Sequence, residues 1–123
     1  MGEGTTTVEI TVYTLDTNTV IYYLKDEAPV AELMDTLYRQ NSPFYISAMT
    51  ELELFSYAPL NDTEATRIDS FLRTVSIIPV DSRIARLAGN IRKIYGLKVA
   101  DSAIAATALY TGSTLLTRNV RDF

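Results

Sequence analysis

The sequence contains no cysteine and no histidine. Without cysteine, the chain can form neither a disulfide nor a thiolate metal site. Without histidine, it lacks the usual general base, the Ser-His and Cys-His nucleophile systems and every imidazole zinc site. Any chemistry must therefore come from carboxylates, hydroxyls, amides, lysine and arginine, a set rich in oxygen ligands that suits hard cations such as magnesium or manganese.

Long apolar runs and clustered glycines are also absent. No segment approaches the roughly 18 apolar residues that a membrane-spanning helix needs, and residues 1–10 do not resemble a signal peptide. We therefore expect a cytoplasmic protein that does not contact the membrane. The five glycines are scattered, which disfavours a dinucleotide- or triphosphate-binding loop. The 123 residues, 47% of them hydrophobic, predict one domain, 1–123, with a buried core.

Segments typical of strands alternate with pairs of segments typical of helices. Runs rich in β-branched residues predict strands over residues 8–15, 44–46, 75–80 and 113–117. Apolar residues at helical spacing predict helices over residues 19–24, 29–41, 47–57, 61–73, 81–95 and 103–110. Strands separated by two helices pair in parallel through right-handed crossovers. We predict an α/β protein with three layers, α/β/α, around a mostly parallel sheet of four to five strands.

Several acidic residues fall at the edge of the predicted sheet where its strands end. They are Asp16 after the first strand, Glu53 in the helix after the second, Asp101 at the head of the last helix and Asp122 after the fourth strand. Ligands of such sheets bind at this edge. Carboxylates gathered in one place repel one another, and some protonate, unless a cation compensates their charge. A divalent ion removes that cost and can activate water and stabilise charge on a phosphate.

Each of these acids also has a simpler explanation. Asp16 and Asp101 could serve only as helix caps, and Asp122 could be an ordinary surface acid. Glu51 and Glu53 lie two residues apart on a predicted helix, so their side chains point about 200° apart and only one can face a given site. The sequence alone does not decide which of the two does so.

The net charge of −4 is unevenly distributed along the chain. Residues 1–82 hold thirteen acidic and four basic side chains, a net charge of −9, whereas residues 83–123 hold two acidic and seven basic ones, a net charge of +5. The basic third could be a solvated helix face. It could also be a phosphate-binding surface beside an acidic metal site.

Four segments together resemble the PIN-domain family, most closely the VapC-type toxin ribonucleases of VapBC toxin–antitoxin systems. In family order they are LDTNTVIYYL, YISAMTELEL, LKVADSAIAATAL and LLTRNVRDF. Each alone is a weak signal, but the four occur in order and cover nearly the whole chain. The resemblance implies an endoribonuclease that depends on Mg²⁺ or Mn²⁺ and uses metal-activated water to attack an RNA phosphodiester.

The resemblance also implies roles for individual residues. Catalytic and metal-binding positions fall on Asp16, Glu53, Asp101 and Asp122, with Asn119 as a further position at the metal. Two more residues, Thr117 and Asn18, fall near the site. Contacts to the RNA backbone are expected from Arg118, Arg121 and Lys98.

The chain departs from the family pattern near its end. Many relatives carry an aspartate where this sequence has Asn119, which offers a carbonyl oxygen but no charge, so a second metal is less expected than the first. Asp122 could replace that acid. The sequence stops at Phe123, where relatives continue into a short strand, so we expect that final strand to be absent or truncated.

The resemblance further implies a cognate antitoxin that covers the acidic groove, and a homodimer. The helices that follow Pro29 and Asn61 are candidate dimer surfaces. One alternative function is a catalytically inactive PIN-like module that binds RNA or protein. An aspartyl-phosphate receiver domain is less well supported, because that fold needs paired acids after the first strand and a late lysine, and no lysine follows Lys98.

Overall fold

A computed structural model describes residues 11–56 and 61–117, which fold as an α/β structure. The strands in these residues are β1 (Tyr13–Leu15), β2 (Phe44–Ser47), β3 (Ser76–Ile78) and β4 (Thr114–Leu116). The helices are α1 (Thr17–Leu24), α2 (Ala28–Arg39), α3 (Ala48–Ser56), α4 (Asp62–Leu72), α5 (Ser82–Tyr95) and α6 (Val99–Thr111). Two helices separate each pair of consecutive strands, as predicted. None of the helices in this part of the chain is long and apolar enough to cross a bilayer.

The strands form one sheet in the order β3-β2-β1-β4, and every neighbouring pair is parallel. Strand β1 lies inside the sheet, where Tyr13 pairs with Phe44 of β2 on one side and with Thr114 of β4 on the other. The chain moves from β1 to β2 and β3 on one side, then returns to the far side of β1 for β4. The predicted α/β fold with a parallel sheet is therefore confirmed, with four strands among the described residues.

Two apolar clusters hold the layers together. The larger one joins the sheet to helices α1–α4 and includes Leu15, Val20, Met34, Ile46 and Leu54, all of which are essentially inaccessible to solvent. The smaller one joins α5 to α6 and is built from Ile84, Ala88, Ile91 and Ala106. Helix α6 also packs against β1, β2 and α3. Its small buried side chains allow this close approach on several sides.

The candidate dimer surfaces on α2 and α4 are turned inward. Val30, Met34 and Leu37 of α2 belong to the core, and so do Ile68, Phe71 and Leu72 of α4. The sequence pattern correctly marks these residues as apolar helix stripes, but such a stripe packs on the sheet in preference to solvent because burial of apolar area is favourable. These two stripes therefore cannot form a dimer contact.

Most helices start close to the predicted bounds, and side chains or glycines cap several of their ends. Asn61 and Asp81 cap α4 and α5 through side-chain oxygens that accept from Glu64 N and Ile84 N at 2.8 and 2.9 Å. Gly96 and Gly112 end α5 and α6 in the left-handed conformation, with φ of 68° and 66°.

The prediction for the start of α6 is wrong. The helix begins at Val99, with Lys98 as its N-cap, so Asp101 lies in the first turn and is not the cap. Ser102 does not cap either, because its hydroxyl donates back to Lys98 O at 2.8 Å.

Candidate active site

Asp16 follows β1 directly and is 3% exposed. It is the N-cap of α1, and its Oδ1 accepts a hydrogen bond from Thr19 N at 2.8 Å. Its Oδ2 accepts from the hydroxyl of Thr117, which follows β4. Asp16 N also donates to Leu116 O at 3.2 Å. The cap role is therefore real, and the same carboxylate joins the ends of two neighbouring strands.

Glu53 lies in the middle of α3, the helix that follows β2. Ser47 at the end of β2 accepts from Met49 N at 3.0 Å and so starts the helix. The Oε1 of Glu53 accepts a hydrogen bond from Thr17 Oγ1 at 2.6 Å. Glu53 lines the same cleft as Asp16, whereas Glu51 does not line it. Of the two glutamates that the sequence left open, the structure brings Glu53 to the strand edge.

Asp101 reaches this edge from the first turn of α6. An acidic side chain is favoured there because the helix N-terminus carries partial positive charge. Lys98, the residue at the N-cap of the same helix, is exposed. Lys98 and Asp101 are therefore within one helical turn of each other along the chain, with Asp101 lining the cleft.

These residues line a polar cleft of about 430 Å³. The cleft is bounded by Asp16, Thr17, Asn18, Ile21, Leu52, Glu53, Ser56 and Asp101. Its three acidic members come from three elements, namely the end of β1, the middle of α3 and the start of α6. No basic side chain is among the lining residues of the cleft within the described part of the chain, so the cleft attracts cations.

The chemistry of the donors suits a hard divalent cation, because carboxylate, hydroxyl and amide oxygens all face the cleft. The three carboxylates are nevertheless not gathered as tightly as a finished site requires. Within residues 11–56 and 61–117, no group of three acidic side chains stands ready to hold one ion. The carboxylates of Asp16 and Glu53 accept hydrogen bonds from the protein. An ion that entered the cleft would therefore need water for some of its ligands, as magnesium commonly does.

Several predicted site positions lie outside the described residues. They are Arg118, Asn119, Arg121 and Asp122. Of the remaining predicted residues, Asn18 lines the cleft and Thr117 donates to Asp16.

Some lining residues were not predicted from the sequence. Thr17 contacts Glu53, and Leu52, Ser56 and Ile21 form walls of the cleft. Thr17 carries a signal that could have found it, because it lies between Asp16 and Asn18, two predicted site residues. Leu52 lies between Glu51 and Glu53 in the sequence, and its 59% exposure at the cleft can be seen only in the folded structure.

An apolar groove of about 320 Å³ adjoins the cleft. It lies between α1, α3 and α4 and is lined by Ile21, Leu24, Lys25, Leu54, Glu64, Arg67 and Ile68. Ile21 lines both spaces, so the groove and the cleft share one wall.

Comparison with known protein families and sequences shows what this arrangement is similar to. Residues 13–123 match the family described as PIN domain. The chain is 30% identical to "Ribonuclease VapC19" from Mycobacterium tuberculosis over 114 residues, which covers 89% of this chain and 90% of that protein.

Solved structures give a consistent result. A toxin–antitoxin complex from Klebsiella pneumoniae superimposes with a TM-score of 0.77 at 28% identity, covering 90% of this chain and 89% of that one. VapBC2 from Rickettsia felis, bound to a DNA fragment from its promoter, superimposes with a TM-score of 0.78 at 24% identity, covering 92% of this chain and 91% of that one. At that identity the second likeness concerns the fold alone.

Proposed function

The chain belongs to the PIN-domain family, and from that premise we propose that it is a divalent-metal-dependent endoribonuclease, the toxin of a toxin–antitoxin pair. The observation that carries the proposal is the cleft that gathers Asp16, Glu53 and Asp101 from three separate elements. The similarity to a relative that is named a ribonuclease supports the same activity.

The proposed reaction is hydrolysis of an RNA phosphodiester. A bound Mg²⁺ or Mn²⁺ ion would activate water and offset the charge that develops on the phosphate. Asp16 and Asp101 would hold the ion directly or through water, with the oxygen ligands that such ions prefer. Glu53 would complete the ligand set and accept the proton of the attacking water. The attack forms one phosphorus–oxygen bond and breaks the bond to the leaving ribose oxygen.

The RNA backbone would be bound by the basic third of the chain. Residues 83–123 carry a net charge of +5 next to an otherwise acidic protein. We expect Lys98, Arg118 and Arg121 to contact phosphates, because lysine and arginine gain affinity by releasing counterions from nucleic acid. Of these three residues, Lys98 lies within the part of the chain that the structure describes, and it precedes Asp101 by about one helical turn.

The partner would be an antitoxin that blocks the acidic cleft. The likeness to a toxin–antitoxin complex supports such a partner. A chain that covers the cleft could place apolar side chains in the adjoining groove beside Ile21 and Ile68, and a basic side chain among the carboxylates. Co-purification with the product of the neighbouring gene, followed by loss of RNA cleavage in the complex, is the expected result.

We also propose a homodimer. The proposal is motivated by Ile94 and Tyr95 at the end of α5 and Val99 at the start of α6, which are 71%, 72% and 59% exposed, since exposed large apolar side chains that adjoin one another commonly mark an interface. Sedimentation should show a dimer that Ile94→Asp dissociates. Leu33→Asp, on an exposed position of α2, is the matched control, and dissociation by the control alone would place the interface elsewhere.

Cleavage of structured RNAs in the presence of Mn²⁺ tests the enzymatic proposal. Wild-type protein should cleave, whereas Asp16→Asn and Asp101→Asn should lose activity. Asp81→Asn is the matched control, because Asp81 caps α5 outside the cleft and asparagine is an equally good cap. Equal cleavage by all four proteins would indicate a contaminating nuclease and would sink the proposal.

Metal binding separates the enzyme from the alternative, an inactive module of the same fold. An ion that binds only the folded protein raises the melting temperature by mass action. Wild-type protein should show this shift with Mn²⁺, and Asp16→Asn should show less of it. A wild-type protein with neither a shift nor cleavage would be the inactive module.

A further inference from the structure

Thr17, the first residue of α1, contacts two side chains of α3. Its Oγ1 lies 2.6 Å from Glu53 Oε1 and 3.1 Å from Thr50 Oγ1. The hydroxyl has a single proton to donate. The carboxylate is the better acceptor, because hydrogen bonds to a charged group are shorter and stronger than bonds between neutral groups. Thr17 therefore donates mainly to Glu53, and Thr50 is the weaker acceptor for the same proton.

Thr50, on the buried side of Thr17, restricts the positions that the Thr17 hydroxyl can adopt. Its side chain is fully buried, with 0% exposure. It lies three residues before Glu53, so the two side chains occupy the same face of α3. Packing fixes Thr50, and Thr50 in turn holds the hydroxyl of Thr17 close to Glu53.

The backbone joins this contact to the first carboxylate of the cleft. Asp16 and Thr17 are consecutive residues. The side chain of Asp16 is held by Thr19 N and Thr117, and the side chain of Thr17 reaches the opposite wall of the cleft at Glu53. The orientation of one acid is thereby linked to that of another across a single peptide bond.

We propose that Thr17 is the positioning residue for Glu53, whose carboxylate it holds at the cleft before the metal arrives. Glu53 is a long side chain on a partly exposed helix face, and without a partner it would sample several rotamers. The inference rests on the proposed function, because it treats Glu53 as a ligand of the ion. Loss of an outer partner of this kind typically weakens metal binding about 10- to 100-fold.

Two substitutions isolate the hydroxyl. Thr17→Val keeps the shape of the side chain and removes the donor, whereas Thr17→Ser keeps the donor and removes the methyl group. Thr36→Val is the matched control, because Thr36 is an exposed helical threonine of α2 whose hydroxyl donates to Glu32 O of its own helix. Melting temperatures of all variants establish that each one folds.

Calorimetric titration with Mn²⁺ and crystal structures of the metal-free proteins supply the readouts. Thr17→Val should bind Mn²⁺ at least about tenfold more weakly and should show Glu53 turned away from Asp16. Thr17→Ser and Thr36→Val should match wild type in both measurements. Saturating Mn²⁺ should restore much of the cleavage rate of Thr17→Val, because the ligand itself is intact.

Two outcomes would overturn the inference. One is a metal-free Thr17→Val structure in which Glu53 keeps its wild-type place, and the other is a Thr17→Ser variant as impaired as Thr17→Val. The proposed function fails separately, if wild-type protein neither binds Mn²⁺ nor cleaves RNA. The crystallographic comparison still tests the positioning role in that case, because it needs no bound ion.

Discussion

The carboxylate of Asp16 accepts hydrogen bonds on both of its oxygens, one from Thr19 N and one from the hydroxyl of Thr117. A helix cap and a metal ligand are often considered as competing roles for one aspartate. Here they are compatible, because each carboxylate oxygen has two lone pairs, so an oxygen that accepts a hydrogen bond can also bind a cation. The two hydrogen bonds restrain the orientation of the carboxylate, and Asp16 lines the cleft.

Substitutions of Asp16 should separate stability from activity. Asp16→Asn keeps an acceptor for Thr19 N, so we expect a loss of less than about 1 kcal/mol in the free energy of unfolding. Asp16→Ala removes the cap and leaves Thr117 and Thr19 N without this acceptor in a buried place, and we expect a loss of about 2 kcal/mol. Both variants should lose RNA cleavage. Urea unfolding followed by circular dichroism measures the free energies of unfolding. Equal losses of this free energy in the two variants would contradict the role of Asp16 as a helix cap.

Glu51 and Glu53 show what the sequence could and could not predict about single residues. Helical geometry excluded a shared site for the two, and the family resemblance favoured Glu53. The physical reason became visible only in the folded chain, where Thr17 of another helix meets Glu53. Such a contact joins residues 36 positions apart, and no local pattern in the sequence records it.

Tyr23 should contribute to a measurable loss of stability at alkaline pH. Burial raises the pKa of its hydroxyl above the ordinary value, and the neighbouring Tyr38, Asp35 and Asp26 raise it further. Above pH about 10 the unfolded chain loses this proton while the folded protein keeps it. The stabilisation is therefore complete below that pH and is lost as the pH rises through the raised folded pKa.

Urea unfolding between about pH 8 and 11 tests this sign. The free energy of unfolding should fall less steeply in Tyr23→Phe than in wild type, because phenylalanine has no proton to lose. Tyr95→Phe is the control, since Tyr95 is 72% exposed. If Tyr23→Phe falls as steeply as wild type and only Tyr95→Phe falls less steeply, the loss of stability at alkaline pH belongs to a group other than Tyr23.

At the level of elements, most predicted helix starts lie close to the observed ones, and the start of α6 is the exception. The predicted helix starts at residue 103, but the observed one starts at Val99, so residues 99–102 extend it by about one turn on the N-terminal side. The extension places Asp101 inside the helix, where its side chain can line the cleft. The ends of strands are harder to predict from the sequence, because they depend on where the neighbouring strand stops pairing. Ser76–Ile78 is shorter than the predicted 75–80 because Pro79 has no N–H to donate.

Two glycines of α5 should respond oppositely to alanine. Gly89 lies in the exposed middle of the helix, and an added Cβ meets nothing within 4 Å, so Gly89→Ala should stabilise the protein by about 0.5–1 kcal/mol. Gly96 ends the helix at a φ of 68°, where alanine is strained, so Gly96→Ala should destabilise it by about 1 kcal/mol. Thermal unfolding measures both. Stabilisation by Gly96→Ala would mean that the end of α5 is not held in the left-handed conformation, and destabilisation by Gly89→Ala would contradict the prediction for the helix middle.

For the whole molecule, the sequence predicted parallel strands and three layers but not the strand order. Right-handed crossovers leave open which side of β1 receives β4. The observed order β3-β2-β1-β4 puts the change of direction between β1 and β4, and this is the place where parallel sheets form ligand sites. Asp16 follows β1 and Thr117 follows β4, so their hydrogen bond lies at that point. Long-range packing therefore decides the place of the site, and the sequence supplies its chemistry.

The uneven charge of the whole chain makes a final prediction about RNA binding. Asp16→Asn protein, which we expect to fold without cleaving RNA, should bind single-stranded RNA with an affinity that falls steeply with salt, because each neutralised phosphate releases counterions. Adding Lys98→Ala should weaken binding to all RNA sequences alike. It should also make the negative slope of log affinity against log salt shallower by about 0.7. Arg39→Ala, in the acidic part of the chain, should leave the slope unchanged. Filter binding or fluorescence anisotropy at several salt concentrations measures the affinity and its slope. An equal loss of affinity from Arg39→Ala and from Lys98→Ala would mean that RNA is attracted by the protein as a whole and not by its basic third.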